Sequence, residues 1–275
     1  MSICASSTWT NHALGISPAF EALWPAARKL GFARWPGIEQ LNEALQSAGI
    51  TAGRGRPARL VPACAEPAGV YEERAFRTGE ILHREHDWHD LFNALVWLTF
   101  PRAKAMLNAR HVAELEREIP GQRGRARDAL TLFDEEGVIV VSDDEGLLAL
   151  IREFRWKDLF WVRRADVQAR MRFVIFGHGL YAKAREPFLG MTGRAVLMLT
   201  DEKVLEIPWA EKLAVLDAKL AAALGGPDVI RTPLDLSPLP ILGVPEWTPA
   251  NCDEAFYDNV DYFRPGRARA GAIKR

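Results

Sequence analysis

The spacing of hydrophobic positions in the first part of the chain predicts two helices followed by an irregular segment. A helical pattern opens at Ser17, a capping residue followed by proline, and stops at Gly31. A second pattern predicts a helix over 38–48. Residues 49–69 are rich in Gly, Pro, Ala and Arg and have no periodicity, so they are predicted to form a loop.

The next segment leads into the most regular helix of the chain. Apolar residues on both sides of a Thr-Gly break predict a hairpin over 70–85. A helix follows at once from Asp87 and ends near Phe100, because Pro101 disfavours helical backbone in the residue before it. Pro101 itself opens a second helix that runs to about Ile119.

The second half of the chain alternates predicted helices with short, β-branched runs that predict strands. In chain order the prediction is helix 126–135, strand 138–141, helices 145–154 and 156–170, strand 172–176, a short helix ending at 184, strand 194–199 and helix 210–224. Beyond 225, repeated prolines exclude long regular elements, and scattered apolar residues predict an extended wrap over the core.

Together these elements predict a mainly helical α+β protein with a few short strands. The 275 residues are 48% hydrophobic and 26% charged, which is ordinary for a globular protein with a substantial core. Because no break in composition divides the chain, we expect a single domain over 1–275, with a core of about 17–225 and a proline-rich C-terminal wrap over 226–275.

The charge distribution does not point to a polyanionic partner. The formal net charge of −1 gives no global argument for nucleic acid or anionic lipid. Arginines cluster at 54–59, 123–127 and 264–275, where they are candidates for holding phosphate groups. Solvated loops are the simpler interpretation, so nucleic acid is an alternative rather than the expected partner.

The features that report on compartment favour the cytoplasm. Cys4, Cys64 and Cys252 lie far apart without CxxC spacing, which argues against a disulfide framework or a cysteine metal site. No positive segment followed by an apolar run opens the chain, so a signal peptide is not expected. The longest apolar run, 94–100, is far shorter than the roughly 20 residues that span a bilayer.

The helix predicted from Asp87 carries the most informative pattern. At about 100° per residue, polar groups share one side of a helix whose other side is apolar. These polar groups are His86, His89, Asp90 and Asn93. A buried polar group without a partner costs about 1–3 kcal/mol, so this side of the helix needs a metal, a ligand or another side chain.

Two interpretations of this pattern stay open. In the structural one, Asp87 caps the helix with Asp90 at its third position, and His89 and Asn93 bond to a neighbouring element. In the functional one, His86, His89 and Asp90 are ligands of a divalent metal such as zinc, iron or manganese. The i, i+3 histidine spacing lacks the specificity of an HExxH motif.

The following helix supplies further candidates on one arc. Lys104, Asn108 and His111 share this arc and face the first helix if the two form a hairpin. Together with Asn93 they are candidate ligand-binding groups.

His178, between two glycines at a predicted strand-to-helix junction, is the second focus. An imidazole there suits acid–base chemistry near neutral pH, although a helix-capping turn explains it as well. In a hydrolase, His178 or Asp90 is the candidate general base for a metal-activated water. No G-x-S-x-G, P-loop or G-x-G-x-x-G motif is present, so serine hydrolases and common nucleotide-binding proteins have no support.

Two resemblances follow from these motifs. EHDWHDLFNALVWLTFP over 85–101 resembles the core signature of a bacterial family catalogued as domain of unknown function 3025. Further matching positions are Lys104, Leu107 and Asn108, FGHGL over 176–180 with Pro187, and PLPILG over 238–243 before Trp247. This resemblance implies a proteobacterial cytosolic protein and brings no activity, cofactor or catalytic residue. The predicted hairpin and helix also resemble ββα-metal nucleases weakly, since Arg77 and Thr78 stand where those enzymes have a histidine.

The function these observations favour is a small-ligand-binding protein or metal-dependent hydrolase with a pocket of His, Asp and Asn side chains. One alternative is a non-catalytic interaction protein in which the same residues only join helices. The other is a nucleic-acid binder that uses the arginine-rich loops and whose retention on heparin falls steeply with salt.

Overall fold

The computed structural model confirms the predicted mainly helical α+β fold. It describes residues 17–31, 34–63, 70–119, 122–226 and 228–266. Cys4, Cys64 and the basic residues after 266 lie outside the described residues, and Cys252 is an exposed free thiol.

Most predicted helices are present close to their predicted bounds. In chain order the described helices are α1 (Trp24–Leu30), α2 (Ile38–Ser47), α3 (Val70–Thr78), α4 (Trp88–Thr99), α5 (Pro101–Leu115), α6 (Arg125–Glu136), α7 (Glu145–Arg152), α8 (Arg164–Arg170), α9 (His178–Ala184), α10 (Glu202–Glu206) and α11 (Trp209–Gly225). The helix predicted over 156–170 is divided into a π-helix, Asp158–Val162, and α8. Within the ranges described, no helix combines the length and the apolar character needed to cross a bilayer.

In the part of the chain that the structure describes, the strands form one four-stranded sheet and two small pairs. They are β1 (Thr51–Ala52), β2 (Arg56–Pro57), β3 (Arg59–Pro62), β4 (Glu80–His83), β5 (Gly137–Ser142), β6 (Met171–Ile175), β7 (Thr192–Leu199) and β8 (Ser237–Pro240). The main sheet has the order β6-β5-β7-β8, and β5 runs antiparallel to β6 and parallel to β7. β5 lies between β6 and β7, and all of its residues are buried.

The histidine-bearing helix α4 lies in the hydrophobic core. Every residue from Leu91 to Trp97 is buried, including the polar Asn93. Full burial of a large apolar side chain contributes about 1.5–3 kcal/mol, so the apolar residues of this run fix the position of α4 firmly. The polar first turn, which includes His89, extends from that anchored segment.

The predicted hairpin over 70–85 is wrong. The segment forms α3, which is supported by an i, i+4 ion pair between Arg77 and Glu73, and Gly79 ends it with a left-handed φ of 79°. The following strand β4 pairs in parallel with β3. The similarity to ββα-metal nucleases therefore loses the hairpin on which it rested.

The predicted loop over 49–69 is also wrong in part. The two-residue strands β1 and β2 pair with each other, and β3 forms the partner of β4. These strands are too short to show a period of two, which is why the sequence pattern missed them. Residues 64–69 of the predicted loop lie outside the described part.

The proline-rich C-terminal segment wraps over the core as predicted. It adds β8 to the edge of the main sheet and continues in the short 3₁₀-helices Ile241–Gly243, Pro249–Cys252 and Glu254–Asp258. Fully buried Asn251 donates hydrogen bonds to the carbonyls of Leu242 and Val244, at 2.9 and 2.6 Å. These bonds replace the regular backbone pairing that prolines prevent.

Candidate metal centre

The sheet brings the end of α6 against the start of α9. Helix α6 runs directly into β5, and β6 lies antiparallel beside β5. The N–H groups of Phe176 and Gly177 both donate to the carbonyl of Gly137, each at 2.9 Å. Because of this connection, Glu135 in the last turn of α6 faces His178, the first residue of α9.

Helix α4 supplies the third side chain. Asp87 is its N-cap and accepts a hydrogen bond from the N–H of Asp90 at 3.1 Å, as the structural interpretation of the sequence predicts. The first turn of α4 places His89 against α9. The rings of His89 and His178 meet edge to face, with centroids 4.4 Å apart.

Both imidazoles direct the same nitrogen to one carboxylate. Nε2 of His89 lies 3.0 Å from Oε2 of Glu135, and Nε2 of His178 lies 3.5 Å from Oε1. One ligand atom from each of the three side chains falls within 4.8 Å of the others. The sequence-based hypothesis that distant imidazoles share one location therefore fits the geometry.

Each imidazole also has a carboxylate near its other nitrogen. Nδ1 of His89 lies 3.3 Å from Asp90, and Nδ1 of His178 lies 3.8 Å from Asp134. The hydrogen bond between His89 and Asp90 is the carboxylate–histidine arrangement that orients histidine ligands in metal sites. Asp134 lies beyond hydrogen-bond distance of His178, whose Nδ1 has no hydrogen-bond partner among the described groups.

The charges around His89 are strongly paired. Arg84 donates three hydrogen bonds to the carboxylate of Asp90, from its backbone N, Nε and Nη2, at 2.7, 2.9 and 2.8 Å. Burial acts to raise the pKa of Asp90, but the bonds from Arg84 outweigh it and hold that pKa well below its usual range. The hydrogen bonds with Asp90 and Glu135 in turn raise the pKa of His89 to about 9.

His178 has the opposite electrostatic environment. Burial lowers the pKa of His178 to about 4, although the nearby charge of Asp134 acts to raise it. Asp134 is itself paired with the buried ammonium of Lys104 at 2.5 Å. Burial acts to raise the pKa of Asp134, but the charge of the Lys104 ammonium outweighs it and lowers that pKa to about 2. His178 is therefore neutral at pH 7, so one of its ring nitrogens carries a proton and the other can accept a hydrogen bond or bind a cation.

The three side chains stand at a cavity of about 230 Å³. Its walls come from α3, β4, α4, α5, α6 and α9. Every lining residue except Leu82 carries a polar side-chain group. The lining residues are Tyr71, Glu72, Leu82, His89, Asp90, Asn93, His111, Thr131, Asp134, Glu135 and His178. A compartment of about 10 Å³, the volume that one water molecule needs, continues the polar region inward, where Trp97, Lys104 and Asn108 join Tyr71, Glu72, His111 and Asp134.

The residues predicted from the sequence are distributed over this region. His89, Asp90, Asn93, His111 and His178 line the cavity. Lys104 and Asn108 line the inner compartment, where Asn108 donates to the backbone carbonyl and the carboxylate of Glu72 at 2.9 and 2.6 Å.

His86 is the predicted site residue that the structure does not bring to this group. Asp87 has extended backbone as the N-cap, so the helical phase starts only at Trp88 and does not extend to His86. His86 has a left-handed φ of 59°, and its ring lies 5.7 Å from that of Trp35. The carboxylates of Asp87 and Asp90 also lie near His89, but they are engaged as a helix cap and with Arg84.

The sequence interpretation missed Asp134, Glu135 and Tyr71. A signal for the two acids was present, because Asp134, Glu135 and Glu136 close a helix whose dipole disfavours negative charge at that end. Three acids at such a position, directly before a buried strand, indicate that other charges compensate them. No comparable signal marked Tyr71, which lies in the segment predicted as a hairpin.

A larger groove of about 740 Å³ lies near the other end of α4, between α1, α2 and α11. It contains no imidazole. Its buried carboxylate, Asp217, accepts from the N–H groups of Arg102 and Ala103 at 3.1 and 2.8 Å and so caps α5. Although the groove is larger, it lacks the concentration of reactive groups found at the smaller cavity.

The close approach at Gly177 gives a test of how the site is built. A Cβ atom there would lie 2.5 Å from the carbonyl oxygen of Glu135, and neither backbone can yield easily. We expect Gly177→Ala to lower the free energy of unfolding by about 1–3 kcal/mol, measured by urea denaturation. Gly37→Ala is the control, because its Cβ would make only an ordinary 3.5 Å contact with Glu39. Equal stability of the two variants would contradict this packing.

Comparison with known proteins identifies one matching family. A family described as "Protein of unknown function (DUF3025)" matches residues 58–267, which include all three side chains of the candidate centre. No curated protein and no solved structure matches the chain.

Proposed function

We propose that this chain, which belongs to the DUF3025 family, is a metal-dependent hydrolase of small molecules whose divalent metal is bound by His89, Glu135 and His178. One observation carries the proposal. The Nε2 atoms of both imidazoles face Glu135, while carboxylates lie near both Nδ1 atoms.

The donor set supports a catalytic metal. Two imidazoles and one carboxylate are typical of zinc hydrolases and of non-haem iron sites that leave positions open for water or substrate. Ligand atoms about 2 Å from one ion lie no more than about 4 Å apart. The ligand atoms of His89, Glu135 and His178 now lie within 4.8 Å of one another. Movements of about 1 Å would bring all three to bonding distance from one ion. Zinc, iron and manganese all fit this set.

The proposal changes the roles that the sequence suggested for two residues. Under it, His178 is a ligand, since its neutral ring can bind a cation without losing a proton. Asp90 orients His89, and its tight binding by Arg84 makes it a poor general base. Asp134 acts on His178 through its charge, since its carboxylate lies 3.8 Å from Nδ1 of that ring. Bound metal would supply Lewis-acid activation of water beside the cavity.

Three arginines of the predicted basic clusters are engaged within the protein, which weakens the alternative of nucleic-acid binding. Arg59 pairs with Glu80, Arg123 with Asp128, and Arg127 with Glu118. These intramolecular pairs reduce the positive potential on which phosphate binding depends.

The proposal predicts a specific pH dependence of metal affinity. A metal displaces the proton of His89, whose pKa is about 9, whereas His178, whose pKa is about 4, has none to lose. We expect the affinity for zinc, measured against a fluorescent chelator, to rise by about tenfold per unit from about pH 6 to about pH 8. An affinity that stays constant over this range would contradict the release of a proton from His89 on metal binding.

Metal analysis and activity together test the proposed function. Protein purified without a metal-affinity column should contain about one equivalent of a divalent metal by plasma mass spectrometry. It should also hydrolyse members of a panel of small esters, amides and phosphate esters. Chelation should abolish the activity, and zinc or manganese should restore it. Metal-free protein with no chelator-sensitive hydrolysis would refute the proposal.

A further inference from the structure

Besides His178, whose Nδ1 has no hydrogen-bond partner and lies 3.8 Å from Asp134, two buried side chains of the cavity have polar atoms that no described protein group satisfies. Asn93, which is 7% exposed, donates from Nδ2 to the hydroxyl of Tyr71 at 2.9 Å, while its Oδ1 has no hydrogen-bond partner. His111, which is 4% exposed, has an unpartnered Nε2. Both line the same cavity as the candidate metal centre.

The cost of these groups favours a cavity filled by a polar molecule over an empty one. Each unpaired buried donor or acceptor costs about 1–3 kcal/mol, and an empty cavity would leave this cost uncompensated. Oδ1 of Asn93 requires a donor. Nε2 of His111 requires an acceptor or a donor, according to which ring nitrogen carries the proton.

The chemistry of the remaining lining narrows the class of ligand. Leu82 is the only aliphatic side chain among the lining residues, so a long apolar chain gains little there. The negative charges of Glu72, Asp90 and Asp134 disfavour an anionic group on the part of the ligand that lies away from the metal centre. A hydroxyl group both donates and accepts hydrogen bonds, so it satisfies Asn93 and matches either tautomer of His111.

We infer that the cavity recognises a small hydroxylated molecule, which binds at the metal centre through one polar function while Asn93 and His111 hydrogen-bond its hydroxyl groups. This inference rests on the proposed function, because the metal centre holds the other end of the ligand. The cavity volume of about 230 Å³ limits the ligand to a small molecule.

Two hydroxamates of equal size test the inference. Glycolohydroxamate and propionohydroxamate carry the same zinc-binding head, and they differ only in a hydroxyl group that replaces a methyl group. Their dissociation constants for the zinc-loaded protein are measured by calorimetry. We expect glycolohydroxamate to bind at least about tenfold more tightly, since buried polar groups discriminate strongly against analogues that leave them unpaired.

Variants assign this preference to the two residues. In His111→Phe and in Asn93→Ala, the ratio of the two constants should fall towards one, with zinc content unchanged. Leu82→Ala changes a lining residue without altering the polar groups, so it should retain the ratio. Melting curves identify any variant that fails to fold. If one of His111→Phe and Asn93→Ala does not fold, the ratio measured with the other variant tests the inference.

The possible failures are distinguishable. If the protein holds zinc but binds propionohydroxamate as tightly as glycolohydroxamate, or binds neither, this inference is overturned while the metal site stands. If zinc analysis shows no bound metal, the proposed function fails and this inference fails with it.

Discussion

Glu135→Gln should weaken zinc binding by more than about 100-fold, whereas Glu136→Gln should leave it unchanged. Loss of a group that only orients a ligand typically costs 10- to 100-fold in metal affinity, so loss of a charged ligand should cost more. The amide retains the size of the carboxylate but removes its charge. Equilibrium dialysis with plasma mass spectrometry measures the effect.

The neighbouring acid makes the control stringent. Glu136 lies in the same helical turn but pairs with Lys183 at 2.6 Å, away from the cavity lining. Both substitutions remove one negative charge at nearly the same place in the chain. Equal affinities for the two variants would show that general negative potential, and not ligation by Glu135, attracts the metal.

Lys104→Met should lower the free energy of unfolding by about 3–5 kcal/mol, because it leaves the carboxylate of Asp134 buried without its partner. Methionine preserves most of the side-chain volume, so the effect reports the lost charge rather than a cavity. Urea denaturation at pH 7 provides the measurement. The loss should diminish as the pH falls from about 4 to about 2, where Asp134 becomes protonated in the wild type as well.

Lys183→Met is the matched control for this variant. It breaks the ion pair with Glu136, in which the lysine side chain is 47% exposed. Such surface pairs contribute about 0–1 kcal/mol. A loss in Lys104→Met no larger than in Lys183→Met would mean that water reaches Asp134 freely, contrary to the burial described.

Local sequence patterns predicted most of the helices and the central strand, because capping residues, prolines and periodicity act over a few positions. Asp87 illustrates this, since a carboxylate before a helix with Asp90 three positions later defines a cap without reference to the rest of the chain. The pairing of β3 with β4 depends on residues 21 positions apart in sequence. No local pattern carries that information.

The candidate site was predictable in part for the same reason. His89 and His178 stood out as polar residues in otherwise apolar or glycine-rich surroundings, and the structure brings their rings together. Their common partner Glu135 reaches them only through the antiparallel pairing of β5 and β6. His86 was grouped with them because the helical phase was extended past the N-cap, where the backbone is no longer helical.

X-ray absorption spectroscopy of the zinc-loaded protein tests most directly whether His89, Glu135 and His178 bind one metal ion. We expect two imidazole nitrogens at about 2.0–2.1 Å with oxygen completing the shell, and one imidazole fewer in His89→Ala and in His178→Ala. A spectrum that contains only oxygen ligands, or one that neither substitution changes, would contradict this expectation.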